Sequence, residues 1–174
     1  MSEPVPLSIA ATDGVAQPRA VPFDDFFERE KAGLYSALCL VTRNRHEAEE
    51  LTQDAFVRLL ERWDRVGAMS DPRGYLYRTA MNAFRSRYRR STMAARRTVG
   101  ITPADDQISA VDERDATMRA LATLSPRQRA AVVLTDLLGF PSNEAASMLG
   151  IGASTLRMHL SRAHAALKGT MPDD

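Results

Sequence analysis

From residue 23 onward the apolar positions of this chain recur at helical spacing, whereas the first twenty-one residues show no such stripe. Phe27, Leu34, Leu38 and Val41 follow at intervals of seven, four and three, predicting a helix that opens at Phe23 with Asp24 or Asp25 as its cap. Asn44-Arg45-His46-Glu47 fits a capping box for a second helix, with Ala48, Leu51, Ala55, Leu59 and Trp63 on or beside its inward face. Gly67 and Ser70 mark a loop. Asp71-Pro72 then joins a capping carboxylate to a proline at the first helical position, and Leu76, Ala80, Ala83 and Phe84 form the buried side of a third helix. Periodicity fails from about Arg90 to Val111, where Gly100, Thr102, Pro103 and Asp105 read as a linker. Helix resumes at Asp112 to about Thr123, and again from Ser125-Pro126 to Leu138 before Gly139. A short amphipathic helix capped by Ser142 or Asn143 stops at Gly150. After a tight turn, a second helix keeps Leu156, Leu160, Ala163 and Leu167 inward. This pair reads as a helix-turn-helix.

The pattern predicts an all-α protein of two small helical domains joined by a flexible linker. The expected divisions are a disordered tail at 1–21, a first domain at 22–92, a linker at 93–111 and a second domain at 112–170. Fully extended, the aperiodic stretch spans up to about 70 Å, enough to hold two domains well apart. Aromatic residues make up only 6% of the sequence, and the abundance of Ala, Leu, Arg and Glu favours helices over strands.

Charge changes the picture through its distribution. The net charge of +1 hides an acidic block of Glu47, Glu49, Glu50, Asp54, Glu61 and Asp64, followed by a stretch from Pro72 to Ala104 with eight Arg and no acid. Two surfaces of opposite sign imply two kinds of partner. On the third helix, Tyr75, Arg78, Asn82, Arg85 and Arg89 share one face, with Ser86 beside them. Guanidinium groups suit phosphates, whereas a ring and an amide suit unpaired bases, so single-stranded or melted DNA is the expected ligand. On the last helix, Arg157, Ser161 and Arg162 cluster with Met158 beside them. Arg reaches guanine edges bidentately, and Ser and Met add weaker contacts. Glu50, Gln53 and Asp54 form a face that a basic protein partner can recognise.

Other chemistry is sparse. Cys39, between two leucines, is expected to pack and excludes an intramolecular disulfide. His159 and His164 stand five apart, off register for a helical metal pair, and read as surface or phosphate-facing. No metal, cofactor or small-molecule substrate is expected, and no Gly-rich phosphate loop or nucleophile beside a histidine suggests an enzyme. No apolar run approaches the ~20 residues needed to cross a bilayer, and the N-terminus lacks the form of a signal peptide, so a cytoplasmic protein is expected.

Three motifs in order, His46-Glu47-Ala48-Glu49-Glu50-Leu51-Thr52-Gln53-Asp54-Ala55-Phe56, Asp71-Pro72-Arg73-Gly74-Tyr75-Leu76-Tyr77-Arg78-Thr79-Ala80-Met81-Asn82, and Leu124-Ser125-Pro126-Arg127-Gln128-Arg129 before the helix-turn-helix, resemble the extracytoplasmic-function group of bacterial sigma factors. The likeness covers about residues 23–169. It implies a transcription initiation factor that binds core RNA polymerase, directs it to promoters and promotes their opening. It also implies that Glu50, Gln53 and Asp54 dock on polymerase, and that Tyr75, Arg78, Asn82, Arg85 and Arg89 read and melt the minus-ten element, with a non-template base flipped out. Thr155, Arg157, Met158, Ser161 and Arg162 would enter the minus-thirty-five major groove. Tyr75 stands where the group most often carries Trp, and Ser86 where Asp is usual. Control by a separate anti-sigma protein is a further implication.

Two rival readings remain. An ordinary dimeric helix-turn-helix regulator explains the C-terminal half but not the acidic helix or the Tyr/Asn/Arg face. A decoy that titrates a sigma inhibitor predicts a damaged recognition helix, and here the arginines are present.

Overall fold

In the computed structural model, which describes residues 21–97 and 116–169, every regular element is a helix. α1 spans Phe23–Thr42, α2 Arg45–Leu60, α3 Trp63–Val66 and α4 Pro72–Arg97. α5 spans Ala116–Ala122, α6 Pro126–Val132, α7 Ser142–Leu149 and α8 Ala153–Lys168, and a π-helical turn Val133–Leu137 prolongs α6. The expected tail up to residue 20, most of the expected linker and the restart at Asp112 lie outside the described residues.

Local chemistry accounts for most of the boundaries. Asn44 caps α2 by accepting from the Glu47 amide at 2.9 Å, but its own amide donates to Thr42 Oγ1 rather than to the Glu47 side chain, so the capping box is half formed. Asp71 Oδ1 accepts from the Gly74 amide at 2.8 Å and Pro72 follows, as the dipeptide predicts. Ser125 and Gln128 complete a reciprocal capping box on α6. Gly150 ends α7 in the left-handed region at φ +59°.

Four expectations are corrected. Pro22, not Asp24 or Asp25, occupies the α1 cap, and the two aspartates sit in the first turn, where they offset the helix dipole. Pro141 likewise replaces Ser142 or Asn143 at the α7 cap, because its fixed φ already sets the chain direction there. Trp63 leaves α2 for the separate turn α3, where its Nε1 donates to the Val21 carbonyl at 3.1 Å. α4 continues to Arg97, past the loss of its apolar stripe near Arg90, since Met, Ala and Arg favour helix by intrinsic propensity alone.

Leu34, Leu38, Val41, Ala48, Leu51, Ala55, Leu59, Leu76, Ala80 and Met81 are fully enclosed where α1, α2 and α4 meet. That core continues without a break into the C-terminal half through Ala130, Ala131, Val133, Leu134, Phe140, Ala145, Ala146, Met148, Leu149 and Leu156. The two halves, which the linker could hold apart, therefore share one apolar seam. Tyr77 meets Phe140 across it at 5.3 Å, and the Arg73 guanidinium lies over both rings at 5.0 and 4.9 Å. Buried Arg129 of α6 donates from Nε to the Val41 carbonyl at 3.1 Å, in the last turn of α1. There the helix leaves its carbonyls without intrahelical partners.

Candidate nucleic-acid and partner interfaces

α4 is amphipathic because its inward positions fall three and four apart, which leaves Arg78, Asn82, Arg85 and Arg89 exposed on the side away from Leu76, Ala80, Ala83 and Phe84. Arg85 Nη1 donates to Asn82 Oδ1 at 3.1 Å, which fixes the amide and leaves its Nδ2 donors outward. Tyr75 is half-buried. Its hydroxyl accepts from Arg62 Nη1 at 3.1 Å, and that hydrogen bond, with Arg65 also close, holds the phenol below its usual pKa. Arg62 and Arg65 thus extend the cationic face beyond α4. Sequence reasoning missed them because they lie in the acidic block, thirteen and ten residues before Tyr75, and no helical period links them to it.

The acidic face of α2 is less open than its sequence suggests. Glu50 and Gln53 are exposed and Asp54 is half-buried, but Arg87 of α4 reaches back across the packed pair. Its Nη1 donates to Glu50 Oε2 at 2.5 Å and its Nη2 to Asp54 Oδ2 at 3.2 Å. Hydrogen bonding from Arg87 holds Glu50 below the ordinary carboxylate range, whereas burial raises Glu47. One arginine of the basic run therefore belongs to the acidic surface. Beside it, Val57 and Leu60 expose 56% and 54% of their surface, so apolar contact area flanks the charges.

α7 and α8 meet at the turn Gly150-Ile151-Gly152, and Leu156 and Ala163 seat α8 against the rest. At ~100° per residue, Met158 lies at the middle of the outward face with Ser161 and Arg162 on either side, while Thr155 and Arg157 fall on opposite edges. Arg157, Met158, Ser161 and Arg162 are exposed, and Thr155 is half-buried. His164 hydrogen-bonds Asp136 of the π-helical turn at 2.7 Å, which ties α8 to the end of α6. His159 does not face solvent freely. It lines a cavity with α4 and α6, and burial, then Arg127 and Arg162, hold its pKa down.

Among the described residues, no group of three or more His, Cys, Asp or Glu is placed to hold a metal ion, and no helix is long and apolar enough to cross a membrane. Cys39 is half-buried against the core. The chemistry on offer is recognition: cation to phosphate, amide and ring to base, carboxylate to a basic protein.

Residues 26–93 match the family described as Sigma-70 region 2, and residues 114–167 that described as Sigma-70, region 4. The chain is 30% identical over 146 residues to an ECF RNA polymerase sigma factor, SigM, of Mycobacterium tuberculosis, covering 83% of this chain and 74% of that protein. It is 31% identical over 157 residues to an RNA polymerase sigma-E factor of Streptomyces avermitilis, covering 88% and 87%. In fold it is similar to the sigma factor RpoE solved with the anti-sigma factor NepR from Bartonella quintana, with a TM-score of 0.71 at 23% identity over 87% of this chain and 98% of that one.

Proposed function

The chain belongs to the extracytoplasmic-function sigma factors of bacterial RNA polymerase, and from that premise we propose how its surfaces divide the work of initiation. It is a transcription initiation factor. The first part, expected at 22–92 and carried by α4 to Arg97, binds core polymerase and opens the minus-ten element, the rest of the expected 93–111 stretch connects, and 112–170 read the minus-thirty-five element. Glu50, Gln53 and Asp54, flanked by Val57 and Leu60, meet a basic surface of polymerase. Tyr75, Arg78, Asn82, Arg85 and Arg89 take the melted non-template strand. The guanidinium groups hold phosphates while Asn82 and the Tyr75 ring face a base. Arg157, Met158, Ser161 and Arg162 enter the major groove, with Thr155 at the rim. The chain catalyses nothing itself. It acts in the cytoplasm with polymerase, and a separate anti-sigma protein controls it by covering these surfaces.

The observation that carries this reading is the acid-free outward face of α4, where Asn82 is held by Arg85. A duplex-only regulator needs cations there but no oriented amide. The test is in vitro transcription with purified bacterial core polymerase, this chain and a library of random promoters. Promoter-specific transcripts that depend on the chain are expected. Intact duplex binding without transcripts would assign the chain to the ordinary regulators instead.

A further inference from the structure

Where the halves meet, α4, α6, α7 and α8 enclose a cavity of ≈ 340 Å³. Arg85 and Arg89 enter it from α4, Arg127 from the first turn of α6 and His159 from α8. No Asp or Glu lines it, and among the described residues no carboxylate pairs with Arg85, Arg89 or Arg127. Several charges elsewhere among the described residues are matched. Glu28 meets Lys31, Glu30 meets Arg73, Glu50 and Asp54 meet Arg87, and Asp136 meets His164. The seam is different, because packing the halves together brings like charges from both sides to one cavity, with Arg85, Arg89 and Arg127 still exposed at its mouth and His159 half-buried behind them.

Such an arrangement is favourable when an anion completes it. We propose that this cavity binds a small polyphosphate anion, inorganic or nucleotide, which bridges Arg85 and Arg89 of one half to Arg127 and His159 of the other and so holds the halves together. Guanidinium forks match phosphate oxygens bidentately, and two or three clustered phosphoryl groups are what three such forks can engage at once. Asn82 supplies neutral donors at the rim, and the half-buried Tyr88 ring, stacked on Phe84, offers a flat wall for a base or ribose. Burial, then the Arg127 and Arg162 guanidinium groups, lower the His159 pKa, and an anion beside it would oppose that shift and favour the protonated, doubly donating ring. The site goes beyond promoter recognition, although Arg85 and Arg89 serve in both, so the ligand and the melted strand compete.

The test is titration calorimetry of the full chain with inorganic pyrophosphate and, separately, with GTP, alongside small-angle scattering. Saturable binding of one anion per chain is expected, with a smaller radius of gyration in its presence. Arg127→Ala and His159→Ala, both in the C-terminal half, should weaken binding at least tenfold and threefold respectively and abolish the compaction. Tighter binding of GTP than of pyrophosphate, lost in Tyr88→Leu, supports the same site with the base on the ring. No saturable binding by either anion overturns the proposal. So does binding that neither C-terminal variant weakens, because the anion would then sit on the open α4 face alone. Transcription by the unmodified chain with core polymerase is read in parallel, so a failed site and a failed sigma-factor reading give different results.

Discussion

Single side chains decide how the proposed DNA and polymerase surfaces can be separated by experiment. Arg157, exposed at one edge of the α8 face, should cost about 1–3 kcal/mol of upstream-element binding when changed to Ala, with relaxed specificity at one position. A uniform loss across sequences would assign it to phosphate. Asn82→Ala should leave upstream binding intact and reduce open-complex formation, read as lower permanganate reactivity of unpaired thymines. Arg87 is the residue whose role the sequence concealed. It stands in the basic run, yet its partners are Glu50 and Asp54, so if these carboxylates meet a basic surface of polymerase as proposed, that surface has to displace it. Arg87→Ala is therefore expected to tighten core-polymerase binding severalfold at low salt, whereas Glu50→Gln weakens it. Equal affinities in a fluorescence titration would remove these carboxylates from the interface. The periodicity of α4 placed Arg78, Asn82, Arg85 and Arg89 on the outward face correctly. It could not assign Arg87, because a contact thirty-three and thirty-seven residues away depends on how α2 and α4 pack. His159 adds a pH dependence. Its folded pKa is depressed, so its contribution to stability is present above its usual value of about 6.5 and is lost as pH falls through the folded value. The melting temperature of the chain should fall between pH 7 and 5, less so in His159→Gln.

At the scale of elements, capping chemistry explains what was legible. Asn44, Asp71, Ser125 and Gly150 each set a boundary where the sequence places it, because each supplies a hydrogen bond or a backbone conformation that depends on few residues. The unread boundaries are those where proline or a long polar extension substitutes for a side-chain cap. Gly150 is set by its backbone. A Cβ built there meets only the tip of the Arg85 side chain, an exposed and flexible group that can swing aside, so the φ of +59° is what calls for glycine. Gly150→Ala should destabilise the chain by about 1–2 kcal/mol from the left-handed conformation. The double variant Arg85→Ala/Gly150→Ala should show that same loss beyond Arg85→Ala alone. A smaller loss in the double variant on denaturant unfolding would show that the guanidinium resists displacement from the turn.

For the whole molecule, the seam constrains how initiation can proceed. Elements named minus-ten and minus-thirty-five are separated by on the order of 25 base pairs, about 85 Å of duplex at ~3.4 Å per pair. Yet α4 and α8 line the two sides of one cavity here. If α4 and α8 take the roles proposed for them, the described arrangement cannot engage both elements, and the halves are expected to part before a promoter is bound. Parting exposes Phe140, Leu149 and the Tyr77 ring, and it breaks the bond from Arg129 to the Val41 carbonyl. The sequence supplied the linker length that makes separation feasible, but it could not reveal the closed form, because Tyr77, Phe140 and Arg129 each read as ordinary helix or turn residues until the halves are docked. A closed resting form lowers apparent affinity in proportion to the open fraction. Weakening the seam without harming either half should then raise that fraction. Arg73 is the suitable position, since it is half-buried and its guanidinium spans the Tyr77 and Phe140 rings, contacts that contribute about 0.5–2 kcal/mol, whereas its partly exposed pair with Glu30 in the same half adds little. Arg73→Ala should enlarge the radius of gyration of the free chain and speed its assembly with core polymerase severalfold while both halves keep their helical content. An unchanged radius with unchanged assembly would mean that the seam is held by the apolar core and Arg129 alone.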